Sequence, residues 1–529
     1  MILGKKENAI LLFILFVLAT TITYVQYYKF VYDSPVRADT GFLLEMTENI
    51  ANGKGHISSI HAAMNNLSRD KIPAMKADEI CAKQLGKTKE EFRNDFESHR
   101  YYITYVMAPF AKVFGTRVVY YVAHVFGFFV MLFFLYKILR ENSVTIIASI
   151  LFLLLVFVYP AFSLSMSGQL YAERFFIPFA MIFLYFLNKK DLNLYALYLS
   201  AFFISLVSER APLMMGIFII GYIVLFWKQI DTRKRVHLSI IGTVLLCFAL
   251  YSLNVLRHAS GLYYTKSTFL PSSMKELISR LENPVFMDNL IIFGVFSFFF
   301  LGIFSIFRWR YFLLAFIMML PNIIGNIGGA EKYGYLTHYH TLYFPFLVFA
   351  SAMGYIKVIE LTKSKKYYWF ILIFISILIL LSSMSSPYGR NISLKNIIRE
   401  NVLFKDFKYY PDIFQKNSAL RKYLNNYNKI PKIIPDGSRI SSGEMAQVIL
   451  WKDKINYFYP MGIDIADYAV LSVSKTKEGY SYSAAISYRG REEAKRIDKC
   501  ILKRMQKLGY DFENQIIINS FAIIKRKKK

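Results

Sequence analysis

The chain has 529 residues, of which 55% are hydrophobic and 17% aromatic, and its formal net charge is +28. Such a composition far exceeds what a soluble core needs, so it indicates an integral membrane protein. In a soluble chain the charge would suggest nucleic acid. In a membrane protein, basic loops fix the orientation and attract lipid headgroups, so we expect membrane lipids as partners and no nucleic acid.

The first 384 residues form the predicted transmembrane domain, with about eleven spans. The first apolar run, residues 10–25, follows Lys5 and Lys6 and is interpreted as an uncleaved signal anchor with a cytoplasmic N-terminus. Because the count is odd, we expect the C-terminus outside. The other runs lie near residues 117–139, 144–160, 172–188, 192–207, 211–228, 237–256, 289–307, 310–327, 341–357 and 367–384.

The loops between these runs alternate in charge. Basic residues at 189–190, 228–235, 308–310 and 357–366 fall on one side, which the positive-inside rule makes cytoplasmic. The other side collects carboxylates and histidines, so we expect the functional site at an extracytoplasmic rim.

Two longer outer loops are predicted, at residues 26–100 and 257–288. In the first of them, the spacing of apolar residues in Gly41–Ala51 predicts an amphipathic helix on the membrane surface. Such a helix would be a platform for a lipid substrate.

After Ser385 the charge and asparagine content rise, and residues 385–529 are predicted to form an extracytoplasmic α/β domain. Predicted strands lie at residues 446–450, 455–459, 467–473 and 516–524, around a helix at 491–508. The domain lacks a nucleotide-binding glycine loop, so we expect it to recognise an acceptor or to cover the membrane site. The basic residues 525–529 are expected to form a solvated tail.

Three cysteines, Cys81, Cys247 and Cys500, are too few for a disulfide framework or a thiolate metal site. A bridge between Cys81 and Cys500 across the outer face stays open as an alternative.

Asp39 follows the first span by about ten residues and is the candidate general base. A carboxylate at the membrane–water boundary could take a proton from an acceptor hydroxyl. The alternative is that Asp39 or Thr40 caps the N-terminus of the following helix, and the two roles are compatible.

Two Glu-Arg pairs lie at outer ends of predicted spans: Glu173-Arg174 opens the fourth span, and Glu209-Arg210 closes the fifth. Each arginine could bind phosphate oxygens in a fork geometry, while each glutamate orients it or binds a cation. The alternative is a pair of salt bridges that hold the helix ends.

A histidine segment precedes the tenth span, His338-Tyr339-His340, with Lys332 upstream. Histidines two residues apart suit a strand better than one helix face, so we prefer donors to a lipid-linked phosphate over a divalent metal site. Interfacial histidines without a functional role stay a further alternative. The metal alternative would use Glu173, His338 and His340. His99, before the second span, adds a further polar group to this side. The sequence has no Walker A loop, HExxH motif or nucleophile elbow, which disfavours a cytoplasmic nucleotide-dependent enzyme.

These features together resemble the GT-C superfamily of polytopic membrane glycosyltransferases, and more narrowly an uncharacterised bacterial branch of predicted membrane proteins in that clan. The residues that carry the resemblance are Asp39-Thr40-Gly41 with Asn49 and Gly53, His99, Tyr171 with Glu173, Glu209, His338-Tyr339-His340 with Pro345, and the segment 434–438.

The resemblance implies a GT-C-like helical fold and inverting transfer of a sugar from a polyprenyl-phosphate donor to an extracytoplasmic acceptor that is a lipid, polysaccharide or protein, with Asp39 as base. In the resulting hypothesis the donor phosphate is bound by Arg174, Arg210, Lys332, His338 and His340. The supporting residues are Glu173, Glu209, His99 and Tyr339. We expect no cofactor other than the divalent metal left open above.

The expected location is the bacterial inner membrane. Two other classes stay open: a transporter or flippase of a lipid-linked or envelope substrate, and a noncatalytic envelope-assembly protein. Movement of substrate across vesicles without a new glycosidic bond would identify a transporter. Tolerance of changes at Asp39, Glu173 and Glu209 would identify a noncatalytic assembly protein.

Overall fold

The structure is a computed structural model. It describes residues 11–20, 38–56, 101–159, 171–189, 191–252, 273–282, 299–324, 341–362, 365–384, 426, 429–443, 446, 450, 454–458, 462–476, 479–483 and 491–527.

Helices dominate the first 384 residues. The α-helices of this part are α1 Leu11–Thr20, α2 Ala38–Ala51, α3 Ile103–Phe114, α4 Thr116–Glu141, α5 Ile146–Val158, α6 Phe176–Asn188, α7 Leu194–Val207, α8 Arg210–Phe226, α9 Thr232–Tyr251, α10 Met274–Glu282, α11 Trp309–Ile324, α12 Phe344–Leu361 and α13 Lys365–Met384. Three short 3₁₀ helices extend α6, α8 and α11: Ala172–Phe175, Trp227–Gln229 and Gly302–Arg308.

The protein is a mostly helical membrane protein. Among the described residues, five helical segments are long and apolar enough to cross a membrane: Thr116–Glu141, Arg210–Gln229, Thr232–Tyr251, Gly302–Ile323 and Phe344–Leu361. The predicted count of about eleven spans is therefore not confirmed. Large apolar side chains such as Val122, Phe126 and Val224 point outward from these helices, as expected where lipid replaces water.

One predicted loop is helical in the structure. Arg308 ends the 3₁₀ helix that leads into α11, and Arg310 lies within α11 itself. The candidate span Gly302–Ile323 consequently runs across the boundary that separated two predicted runs, 289–307 and 310–327. The two arginines lie at the end of one helical segment and within the next, where the sequence suggested a break.

Helix α2 corrects the prediction of an amphipathic helix on the membrane surface. Its middle residues Leu43, Glu45 and Thr47 are all buried, although a surface helix would leave a polar face exposed. The helix packs against α3 and α4 instead. The helix is described from Ala38, so the backbone of Asp39 and Thr40 lies in its first turn, whereas the N-cap alternative placed one of them immediately before the helix.

Helix α12 lies at the centre of the helical part, with nearly every residue from Phe344 to Ile359 buried. Its Gly354 faces the 3₁₀ helix Gly302–Arg308 so closely that an added Cβ would lie 1.7 Å from the carbonyl oxygen of Phe304. Only a glycine fits at this contact, because the neighbour is backbone and cannot move as a flexible side chain could.

The C-terminal part forms a small sheet with strands β1 Arg439–Ser442, β2 Ile455–Phe458, β3 Tyr468–Thr476, β4 Gly479–Ser483, β5 Ile516–Ile518 and β6 Phe521–Lys525. The strand order is β2-β1-β3-β6-β5, with β4 also paired to β3. Strand β1 runs parallel to β2 and to β3, whereas β3–β4, β3–β6 and β5–β6 are antiparallel. In the described residues of this part, the sheet is accompanied by helices α14 Ile430–Ile433 and α15 Arg491–Lys507.

The two faces of the sheet pack differently. Ala469 and Leu471 of β3, with Ile524 of β6, share a hydrophobic cluster with Ile501 and Met505 of α15. Residues that alternate with these, Val470, Phe521 and Ile523, belong instead to the large cluster that runs through the helical part. This period-two alternation buries the sheet on both faces.

Most predicted C-terminal elements are confirmed, with four corrections. Ala446 lies in a turn and not in a strand, while strand β1, which was not predicted, occupies Arg439–Ser442. The predicted run 516–524 divides into β5 and β6 around Asn519, whose φ is 54°. Among the basic residues 525–529, Lys525 belongs to β6 and Arg526 bridges to Tyr510, so the tail prediction is wrong for these residues because they take part in the sheet.

Cys500 of α15 is disulfide-bonded. Cys247 is a free thiol on α9, and Cys81 lies outside the described residues.

Candidate functional site

An ion pair between two helix ends forms the centre of the candidate site. Glu173 lies in the 3₁₀ turn that opens α6, and Arg210 is the first residue of α8. Arg210 Nη2 donates to Glu173 Oε1 at 2.8 Å, with the two side chains 7% and 0% exposed. The sequence predicted both residues as site residues. The pairing joins one predicted Glu-Arg dipeptide to the other.

Glu209 and Arg174 complete the four predicted residues of these dipeptides. Glu209 directly precedes α8 and is fully buried. Arg174 is 1% exposed, and its guanidinium carbon lies 5.7 Å from the ring centroid of Tyr171. Two buried carboxylates and two buried guanidinium groups therefore lie within one pair of helix ends, where charges are costly and usually functional.

His124 of α4 lies beside Arg174, close enough for an electrostatic interaction between them. Its ring centroid is 4.6 Å from that of Phe175. Nδ1 lies 2.6 Å from the carbonyl oxygen of Tyr120, and since a carbonyl only accepts, Nδ1 is the donor. The neutral ring then keeps its lone pair on Nε2, which is buried and has no hydrogen-bond partner in the described part of the chain. His124 thus holds an acceptor beside a guanidinium.

Tyr120 connects this cluster to α2. The Thr47 hydroxyl donates to the carbonyl oxygen of Leu43 at 2.8 Å and lies 2.7 Å from the Tyr120 hydroxyl. Because threonine has one hydroxyl hydrogen and Leu43 takes it, Tyr120 donates to Thr47. Both side chains are fully buried. This bond fixes α2, the helix that carries Asp39, against α4.

The structure places the backbone of Asp39 in the first turn of α2. Eight residues separate it from Thr47, which is about 12 Å along an α-helix. Asp39 is therefore on the helix that contacts the cluster, some two turns away from the Thr47–Tyr120 bond.

The remaining predicted site residues, His99, Lys332, His338, Tyr339 and His340, lie outside the described residues. Their predicted roles stay predictions. In the described ranges, no group of three or more histidine, cysteine, aspartate or glutamate side chains is arranged to hold a metal ion. Of the three metal candidates only Glu173 is described, and it pairs with Arg210.

Thr47, Tyr120 and His124 were not predicted from the sequence as site residues. His124 had a recognisable signal, because an ionisable residue inside an apolar membrane run is a functional candidate by default. Tyr120 and Thr47 had none, since hydroxyl residues are common in such runs and their pairing depends on how α2 packs.

Comparison with known proteins supplies a family. No curated protein sequence matches the chain. In structure the chain is similar to the Archaeoglobus fulgidus oligosaccharyltransferase in its apo form, with 11% identity and a TM-score of 0.42 over 91% of this chain and 75% of that one. Residues 82–445 match the family described as "Predicted membrane protein (DUF2079)". Because this match spans more than half of the sequence, the chain belongs to the DUF2079 family of predicted membrane proteins.

Proposed function

We propose that the protein is a membrane glycosyltransferase that moves a sugar from a polyprenyl-phosphate donor to an extracytoplasmic acceptor, with inversion at the anomeric carbon. The observation that carries the proposal is the buried cluster of Glu173, Arg174, Arg210 and His124. It brings one carboxylate, two guanidinium groups and a neutral imidazole together from three separate helical segments inside an apolar bundle. Such a cluster costs folding free energy and is retained where a charged substrate must be bound.

In the proposed reaction Asp39 takes the proton of the acceptor hydroxyl as its oxygen attacks the anomeric carbon. The bond from that carbon to the phosphate oxygen breaks, and the electron pair leaves with polyprenyl phosphate. Arg174 binds the leaving phosphate in a fork geometry. Glu173 holds the Arg210 guanidinium at 2.8 Å and so orients a second cation. Groups already fixed before reaction stabilise developing charge without further reorganisation.

His338, His340 and Lys332 are proposed as further donors to the phosphate, with Glu209, His99 and Tyr339 supporting them. The donor is activated by its phosphate, so no nucleotide is required. A divalent metal at Glu173, His338 and His340 stays an alternative to direct contact by the arginines.

The test is sugar transfer by purified protein in nanodiscs, with a panel of polyprenyl-phosphate sugars and a cell-envelope lipid extract as acceptor. We expect release of polyprenyl phosphate and a glycosylated product from the wild type, none from Asp39→Asn, and an unchanged rate from Glu360→Gln, a half-exposed control. Full activity of Asp39→Asn would remove the base assignment. Binding of lipid-linked sugar without turnover, together with transport across vesicles, would replace the enzyme by a transporter.

Arg174→Lys separates the proposed phosphate contact from charge alone. It keeps the positive charge but loses the planar fork, so we expect the transfer rate to fall at saturating donor while the folded protein is retained. An unchanged rate in Arg174→Lys would contradict a fork contact in the transition state.

We further propose that residues 385–529 form an extracytoplasmic domain of a bacterial inner-membrane protein whose N-terminus is cytoplasmic. The disulfide of Cys500 supports this, because disulfides persist in oxidising compartments outside the cytoplasm. Maleimide labelling of denatured protein should modify one cysteine before reduction and three after it. Labelling of Cys500 without reductant would contradict the outside location.

A further inference from the structure

A cleft beside the C-terminal sheet lies apart from the cluster described above. The segment 465–467 forms one side, and Lys507, Leu508, Arg526 and Lys527 form the other, around a volume of about 390 Å³. That volume falls at the lower end of the range for small-molecule sites, about 300–1,000 Å³. Neither Asp39 nor the buried arginines of the helical part contribute to it.

Arg526 is fixed in the cleft by the backbone. Its Nε donates to the carbonyl oxygen of Leu508 at 3.1 Å, and its Nη1 donates to that of Asp464 at 2.6 Å. Its own amide donates to the carbonyl oxygen of Asp467 at 2.9 Å. Because these bonds hold the guanidinium in one orientation, a ligand that binds it incurs little ordering entropy.

The cleft carries an excess of positive charge. It has three cations, Lys507, Arg526 and Lys527, and one carboxylate, Asp467. Lys527 pairs with Asp511 at 3.2 Å, while an oxygen of Asp467 accepts from the Arg439 amide at 3.1 Å. Within the described part of the chain, Lys507 and Arg526 form no ion pair with a carboxylate, so two cations are offered to a ligand.

We propose that this cleft binds a phosphate ester of a small polyol or sugar. A planar guanidinium and a mobile ammonium together match the oxygens of a tetrahedral anion. Ile465 and Leu508 give the cleft an apolar strip for the carbon skeleton. None of the described residues that line the cleft is aromatic, so none offers a ring on which a base could stack, which argues against single-stranded nucleic acid. The proposal does not depend on sugar transfer, since binding alone defines it.

The same phosphate ester chemistry occurs in soluble metabolites and in lipid headgroups. The two sources are distinguished by membrane composition. If the ester is soluble, sn-glycerol 3-phosphate binds equally well with and without phosphatidylglycerol in the membrane. If a headgroup fills the cleft, phosphatidylglycerol reduces that binding. Either pattern supports a phosphate ester site.

The experiment uses the full chain in zwitterionic nanodiscs at low salt, with calorimetric titration of sn-glycerol 3-phosphate and of glycerol as the uncharged control. Lys507→Gln removes one proposed contact, and we expect about tenfold weaker binding, in line with the loss of one charge-assisted hydrogen bond. Lys503→Gln is the matched control, because Lys503 is exposed on the same helix and outside the cleft. It should leave the affinity unchanged.

Three results would overturn the proposal. The first is no binding by the wild type at millimolar glycerol phosphate. The second is equal weakening in both lysine variants, which would indicate diffuse attraction to a basic surface. The third is equal affinity for glycerol. Thermal unfolding of each variant checks that the sheet is intact, and a failure of sugar transfer in the wild type would leave this binding measurement unaffected.

Discussion

The ion pair between Glu173 and Arg210 gives the sharpest stability prediction. At 2.8 Å and an effective dielectric constant of about 20, the attraction of two unit charges is about 6 kcal/mol before desolvation is subtracted. Glu173→Gln removes the negative charge of the carboxylate, so the buried guanidinium of Arg210 loses the ion pair with residue 173. Breaking a buried pair in this way typically costs about 3–5 kcal/mol, so we expect this loss in the free energy of unfolding.

The matched control is Glu360→Gln. Glu360 pairs with Lys357 at 3.3 Å and with Arg308 at 3.8 Å, and the three side chains are 39%, 37% and 40% exposed. An exposed pair of this kind contributes about 0–1 kcal/mol. Unfolding of purified protein in mixed micelles by a denaturing detergent, followed by tryptophan fluorescence, measures both variants. If Glu173→Gln destabilises no more than Glu360→Gln, the pair does not hold α6 against α8.

A double-mutant cycle refines the result. Adding Arg210→Gln to Glu173→Gln removes both charges, and the double variant should be less destabilised than the sum of the single variants, because no buried charge is left alone. Additive losses would indicate that the two side chains act through separate contacts.

Gly354→Ala should destabilise the helical part by about 1–3 kcal/mol, because the new methyl group collides with backbone. Thermal unfolding measures this loss, and Gly443→Ala is the control, because a carbon added there meets nothing within 4 Å. Tyr120→Phe removes the hydrogen bond that Tyr120 donates to Thr47, whose own hydrogen stays bonded to Leu43. We therefore expect thermal unfolding to show a loss of about 0.5–1.5 kcal/mol, the net contribution of one ordinary hydrogen bond. Hydrogen bonds from the Asn514 side chain and amide, aided by Lys527, hold the pKa of Asp511 low, at about 2. Its folded pKa lies below the usual 3.8, so its stabilisation is complete above about pH 4 and is lost as the pH falls towards 2. Thermal unfolding should therefore separate wild type from Asp511→Asn at pH 7 and bring them together near pH 2.

The helical elements follow from composition, because a run of about twenty apolar residues can satisfy its backbone in a membrane only as a helix. The run 117–139 accordingly appears as Thr116–Glu141. Burial of α2 could not be predicted, since it depends on contacts with α3 and α4, which come from distant parts of the sequence. Strand β1 was missed because its four residues include Arg439 and two serines, which resemble a loop until a parallel partner pairs with them.

The candidate site was predicted in its residue types but not in its pairing. Charged residues at predicted helix ends identified Glu173 and Arg210, whereas their direct contact requires the relative placement of α6 and α8. That placement is set by packing between helices and leaves no local pattern in the sequence. Tyr120 was overlooked for a related reason, because its bond to Thr47 depends on the packing of α2 against α4. His124 is an ionisable residue within an apolar run and could have been identified from the sequence.

The position of strand β6 has a consequence for biosynthesis. Although it follows both β3 and β5 along the chain, it is paired with each of them, on either side. The sheet consequently cannot close until Phe521–Lys525 has been synthesised and has left the ribosome. A nascent protein that lacks this segment would present β3 with an unpaired edge, ready for capture by chaperones or by another chain.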